Sequence, residues 1–171
     1  MNEEIRNLEP KEVWNHFADL NAVPRASKKE GQVIAFMKDF GAKLNLEIFE
    51  DAVGNVIIRK PATLGMEDRK PIVMQSHLDM VHQKNNDTDF DFSTQGIEMY
   101  VEGDWVKAKG TTLGADNGLG VATIMAVLAS NTIAHPALEA LFTIDEEKPF
   151  KRVVFYAKGF EVLLNMMISM F

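Results

Sequence analysis

Pro71-Ile72-Val73-Met74-Gln75-Ser76-His77-Leu78-Asp79 is the stretch whose reading decides the fold. Its first six residues are a short apolar run with charge in front of it, the pattern of a buried strand. Side chains alternate along a strand, so His77 and Asp79 leave one face of its end while Leu78 points to the other. An imidazole with a carboxylate beside it suits a metal site, one group ligating and the other orienting it or supporting it electrostatically. A lone histidine after a strand is also a common surface or core residue, so the triplet needs support from elsewhere in the chain.

Two further clusters supply it. Gly114-Ala115-Asp116-Asn117-Gly118 precedes an apolar segment, residues 119–128, that reads as a largely buried helix. Asp116 there is either the N-cap of that helix or a ligand. A phosphate loop does not fit, because no Gly-Lys-Ser/Thr follows and Thr123 stands where a third glycine is needed. A second apolar strand, residues 137–144, ends in Asp145-Glu146-Glu147. Adjacent carboxylates repel one another, so this end is either a solvated turn or a place where a cation offsets the repulsion.

Gln75-Ser76-His77-Leu78-Asp79-Met80-Val81, Lys109-Gly110-Thr111-Thr112-Leu113-Gly114-Ala115-Asp116-Asn117-Gly118 and Thr143-Ile144-Asp145-Glu146-Glu147, in this order and spacing, closely resemble the co-catalytic zinc exopeptidases. Within that clan they look most like the aminoacyl-histidine dipeptidase family, also called Xaa-His dipeptidase or peptidase D, over roughly residues 8–147. The resemblance implies a three-layer α/β catalytic domain, a mixed sheet with flanking helices. It implies hydrolysis of small peptides, dipeptides with a C-terminal histidine, by a metal-activated water. It also implies two zinc ions, with manganese or cobalt as substitutes. His77 would ligate one zinc and Asp79 support it, Asp116 would bridge both ions, Glu147 would bind the second, and Glu146 would be the general base. These roles are chemically coherent: a carboxylate can span two divalent ions about 3.5–4 Å apart, and one of two adjacent glutamates can coordinate while the other handles a proton. Two other readings stay open, a deacylase or aminopeptidase of the same clan and a non-catalytic fragment or binding module.

The rest of the chain narrows the class. A chain of 171 residues, 46% hydrophobic and 25% charged, has the composition of a globular protein with a sizeable core. A net charge of −7 argues against nucleic acid or an anionic membrane as partner. With no cysteine there are no disulfides or thiolate ligands, so a metal must rest on histidine and carboxylates. The amino terminus lacks the apolar core of a signal peptide and no segment is long enough to span a bilayer, so a cytoplasmic location is expected.

Pro10 to about Asn21 predicts a helix with Val13, Trp14, Phe17 and Leu20 on one face. Ser27-Lys28-Lys29-Glu30 reads as a capping box for a second helix carrying Val33, Ile34, Met37, Phe40 and Leu44. Arg25, in the loop between them, reads as a solvated surface residue. Residues 46–50 and 55–59 predict one hairpin, and residues 97–101 and 105–108, flanking Glu102-Gly103-Asp104, a second. His82, five residues beyond His77, falls on the opposite strand face if the strand persists, and His16 and His135 lack acidic or histidine partners at ligand spacing.

Residues 148–171 depart from the family pattern. Where the family continues with a glycine-rich helix start and later an aspartate ligand, this chain has Lys148-Pro149-Phe150-Lys151-Arg152 and then Met166-Met167, and no histidine follows His135. The expectation is a catalytic-domain portion over residues 1–147 and a divergent, truncated or frame-shifted tail over 148–171, with no lid or dimerisation domain and no activity in this chain alone. An unpaired sheet edge together with apolar tail residues such as Phe150, Val153 and Phe155 predicts a homo-oligomer.

Overall fold

The computed structural model describes residues 2–146. Glu147 and the segment 148–171, with the readings that fall on them, lie outside the described residues. After a 3-10 turn, Ile5–Asn7, the elements run α1 (Lys11–Asn21), α2 (Gly31–Lys43), β1 (Glu47–Glu50), β2 (Val56–Lys60), β3 (Ile72–His77), β4 (Met99–Glu102), β5 (Trp105–Ala108), α3 (Ala115–Ala129) and β6 (Leu138–Thr143). Both predicted hairpins form, β1 with β2 and β4 with β5. In the first turn the Asp51 carboxylate accepts the amide N–H groups of Val53, Gly54 and Asn55, which fixes the register of the flanking strands.

The main sheet has the order β1-β2-β6-β3. β2 pairs antiparallel with β6, and β3 pairs parallel with β6 from Ile72 opposite Leu138 to His77 opposite Thr143. Parallel neighbours need a long crossover, and here the β4–β5 hairpin and α3 provide it. The α/β mixed-sheet reading therefore holds.

The helices are shaped by what they bury. Val56 and Ile58 of β2 and Ala140 and Phe142 of β6 alternate onto one face, where they pack with Leu20 of α1, Val33 and Met37 of α2, and Val121, Ile124, Met125 and Leu128 of α3. A second cluster joins Phe17 and Ala18 of α1 to Ala122 of α3, Met80, Ile97 and Met99. Because α3 has apolar neighbours on both sides, its sequence is apolar nearly all round rather than striped.

The 71–76 run differs from its reading as a buried strand. Ile72 is 48% exposed, because among the described residues β3 has a single sheet neighbour, β6. The most buried strand is β6, which lies between β2 and β3 and whose only charged residue, Glu139, is bonded by Arg59 Nε at 2.7 Å.

Phe142 is 0% exposed at the centre of this core and Phe49 is 55% exposed on the outer strand. Phe142→Ala is expected to lower unfolding free energy by about 3–5 kcal/mol, whereas Phe49→Ala should stay near the ~0.5 kcal/mol typical of surface changes. Urea denaturation of the two variants checks the assignment.

Candidate functional site

Three polar segments meet at the carboxyl ends of β3 and β6. His77 is the last residue of β3, and the Leu78 amide donates to Thr143 O at 2.8 Å, so the pairing continues one residue past the strand. The acidic residues that follow Thr143 are thereby brought level with His77. α3 begins at the same end. Ser76 Oγ donates to Asn117 Oδ1 at 2.6 Å, and a Cβ at Gly120 would collide with that same Asn117 oxygen. Gly114 takes a left-handed φ of 71°, and Asp116 (φ −90°, ψ 113°) and Asn117 depart from helical geometry, so the regular helix starts at Gly118. Asp116 thus does not directly precede the regular helix as an N-cap would, and its side chain is 84% exposed and turned to His77.

His77 Nε2 lies 3.2 Å from Asp116 Oδ1 and 3.9 Å from Glu146 Oε2. Its other nitrogen, Nδ1, is 3.1 Å from the carbonyl oxygen of Asp79 and 3.4 Å from Asp79 Oδ1. Asp79 is fully buried; its Oδ2 accepts the Ser27 hydroxyl at 2.8 Å and its Oδ1 the Glu146 amide at 3.1 Å. Ser27 therefore serves the carboxylate behind His77 rather than capping α2, whose N-cap residue is Glu30. Within the acidic triplet the directions differ. Asp145, at φ 62°, pairs with Lys28 Nζ at 2.7 Å, while Glu146, 60% exposed, turns toward His77. Burial alone would lower the pKa of the His77 imidazole, but hydrogen bonding and charge from Asp79, then Asp116 and Glu146, outweigh it and raise the value.

Four of the five sequence-derived site residues, His77, Asp79, Asp116 and Glu146, are thus brought together, and Glu147 lies outside the described residues. Among the described residues no three histidine, aspartate or glutamate side chains are arranged to hold a metal. Two donors nonetheless fit one: ligands at ~2.1 Å on a tetrahedral zinc stand about 3.4 Å apart, close to the 3.2 Å between His77 Nε2 and Asp116 Oδ1. With Nδ1 directed at Asp79, the Nε2 lone pair is the one left for a cation, the histidine–carboxylate arrangement found behind many metal ligands.

Arg25 is the residue that sequence reasoning misplaced. It is 2% exposed, not a solvated surface group. Its Nη1 donates to Leu78 O at 3.1 Å, and its Nη2 donates to Asn21 Oδ1 at 2.9 Å and Gly114 O at 2.5 Å. Burial lowers its pKa to about 10, partly offset by the charge of Asp79. The one sequence signal was the spacing of Gly114 and Gly118, since a Cβ at either would run into the Arg25 guanidinium. Of the remaining histidines, His82 and His16 pack edge-on against Phe92 and Phe40, and His135 is buried with Nδ1 2.7 Å from Pro136 O.

A raised folded-state pKa means that His77 contributes stability in full below the unfolded value of about 6.5 and loses that contribution as pH rises through the folded value. In metal-free protein kept in EDTA, the urea midpoint is expected to carry this fall with pH, and His77→Gln should remove it. Equal pH dependence in both proteins would contradict the arrangement of Asp79, Asp116 and Glu146 around the His77 ring.

No family model matches the chain. It is 49% identical over 144 residues to the cytosol non-specific dipeptidase of Escherichia coli (strain K12), covering 84% of this chain and 30% of that protein. The crystal structure of aminoacylhistidine dipeptidase from Vibrio alginolyticus superposes with a TM-score of 0.82 at 47% identity, over 84% of this chain and 29% of that one. A Staphylococcus aureus tripeptidase, 22% identical, shares the fold at a TM-score of 0.65 over 80% of this chain and 37% of that one. The chain thus spans about 30% of the length of the curated relative it matches. The family read from the motifs, that of the aminoacyl-histidine dipeptidases, is the one whose sequence and fold this chain shares over 84% of its length.

Proposed function

We propose that the strand ends of β3 and β6 carry part of a two-zinc site for hydrolysing dipeptides, among them those with a C-terminal histidine. The carrying observation is the placement of His77 Nε2 at 3.2 Å from Asp116 Oδ1 with Asp79 behind Nδ1. In this reading His77 offers Nε2 to one ion, Asp79 fixes the ring, exposed Asp116 has its second oxygen free to span to another ion, and Glu147 is a further ligand. When bound, zinc acts as a Lewis acid on a scissile carbonyl and acidifies water near neutral pH. Glu146 takes the proton from water and passes it to the leaving amine, a role that needs its carboxylate within reach but not ligating. Peptide hydrolysis is supported by similarity to two dipeptidases that are nearly half identical to this chain, and a cytoplasmic location by the one that is a cytosol dipeptidase.

A two-metal site with about three protein ligands per zinc and one shared carboxylate needs about five protein groups. Residues 1–147 offer His77, Asp116 and Glu147, so the 171-residue chain alone is expected not to turn over dipeptides, even with added zinc, manganese or cobalt. Fusing residues 1–147 to the remaining length of the Vibrio alginolyticus relative should give turnover of Ala-His. Glu146→Ala in that fusion should lower it by about 10²–10⁴-fold with zinc content unchanged. Loss of a zinc ion in that variant would make Glu146 a ligand and reverse the division of roles between the two glutamates. Preference for N-acyl amino acids over Ala-His would favour the deacylase reading. The chain is also proposed to self-associate through the β3 edge, and a monomer by light scattering at high concentration would refute that.

A further inference from the structure

Two loops carry the candidate ligands, and they meet through one buried side chain. His77 and Asp79 flank Leu78, whose carbonyl oxygen is bonded by Arg25 Nη1. Asp116 follows Gly114, whose carbonyl oxygen is bonded by Arg25 Nη2. The same Nη2 is held by Asn21 Oδ1, and Asn21 Nδ2 donates to Leu113 O at 3.0 Å, so Asn21 at the end of α1 and Arg25 beyond it together grip two successive carbonyls of the glycine loop. The cradle is shaped to the guanidinium. A Cβ on Gly118 would stand 2.6 Å from Nη2, and one on Gly114 would overlap it as well. A planar fork can reach carbonyls on two separate loops at once, which a single ammonium cannot do.

We propose that Arg25 is a positioning residue of the metal centre, setting the separation of His77 and Asp116 by tying the end of β3 to the loop ahead of α3. This rests on the reading of His77 and Asp116 as ligands. Arg25 touches neither a metal nor a substrate in it; it acts through Leu78 and Gly114.

The test uses the 171-residue protein and cobalt(II) as the probe, followed by its visible absorption and by calorimetry. Arg25→Lys should weaken cobalt binding by about 10–100-fold. In metal-free protein it should raise amide hydrogen exchange selectively in residues 78–80 and 112–118. Thr63→Ala is the control, since it removes two hydrogen bonds between its hydroxyl and the His135 backbone, ahead of β6 at the opposite end of the sheet from the ligands. It should lower the melting midpoint yet leave cobalt affinity and exchange in those two segments unchanged. If Arg25→Lys does not fold, Gly118→Ala, which pushes the guanidinium aside, should give the same pair of effects. Cobalt affinity within threefold of the wild type, or a loss equal to that of Thr63→Ala, overturns the proposal. If the wild-type chain binds no cobalt that His77→Ala abolishes, the metal reading itself fails, and exchange then decides: selective deprotection supports the tie, uniform or no change refutes it.

Discussion

The parallel pairing of β3 with β6 is the constraint on which the site depends. With His77 opposite Thr143, the residue after each strand falls at the same level, so a histidine and an acidic cluster 68 positions later in the chain (145 against 77) share one sheet end. Parallel neighbours also dictate where the crossover helix begins. It must run back against the strands, so its first turn lies over their carboxyl ends, and Asp116 arrives beside His77 for that reason. Ligand sites of open α/β sheets lie in this crevice. The hydrogen bond from Ser76 to Asn117 is the local mark of the arrangement.

Placing charge there carries a cost that the surrounding polar groups offset. Asp79 and Arg25 are both almost wholly removed from water, and an uncompensated buried ion is worth several kcal/mol against folding. Asp79 is met by the Ser27 hydroxyl and the Glu146 amide, and Arg25 by the carbonyl oxygens of Leu78, Asp79 and Gly114 and the Asn21 amide oxygen. All of these contacts but the one between Asn21 and Arg25 join segments distant in sequence. The groups that stabilise the buried charges are therefore also the ones that bring residues 25–27, 77–80, 114–116 and 146 into register.

The two exposed carboxylates, Asp116 and Glu146, differ from this buried pair. Their freedom suits groups that must meet a cation or a proton carrier from solvent, whereas the fixed Asp79 suits a group that holds a ring in place. Burial thus separates orienting from reacting side chains within one constellation.

What the sequence by itself determined follows from short-range periodicity and from side-chain chemistry. The apolar runs that became β3 and β6, the hairpin turns at Asp51 and Gly103, and the spacing of Val33 and Met37 are each set within a few residues, and each formed the element expected, although β3 is not buried along its length. The motif residues were legible because histidine and carboxylates at apolar strand ends need a partner. Only the tertiary structure decided the rest. That β6 and not β3 is the most buried strand depends on sheet order, which the local sequence does not encode. That Ser27 serves Asp79, and that Arg25 lies inside, depends on loops 52 to 89 residues apart (Ser27 to Asp79, Arg25 to Gly114) closing on one another. A hydroxyl or guanidinium is neutral about its location until a buried acceptor is placed beside it, and that placement is made by the packing of the sheet and helices around it.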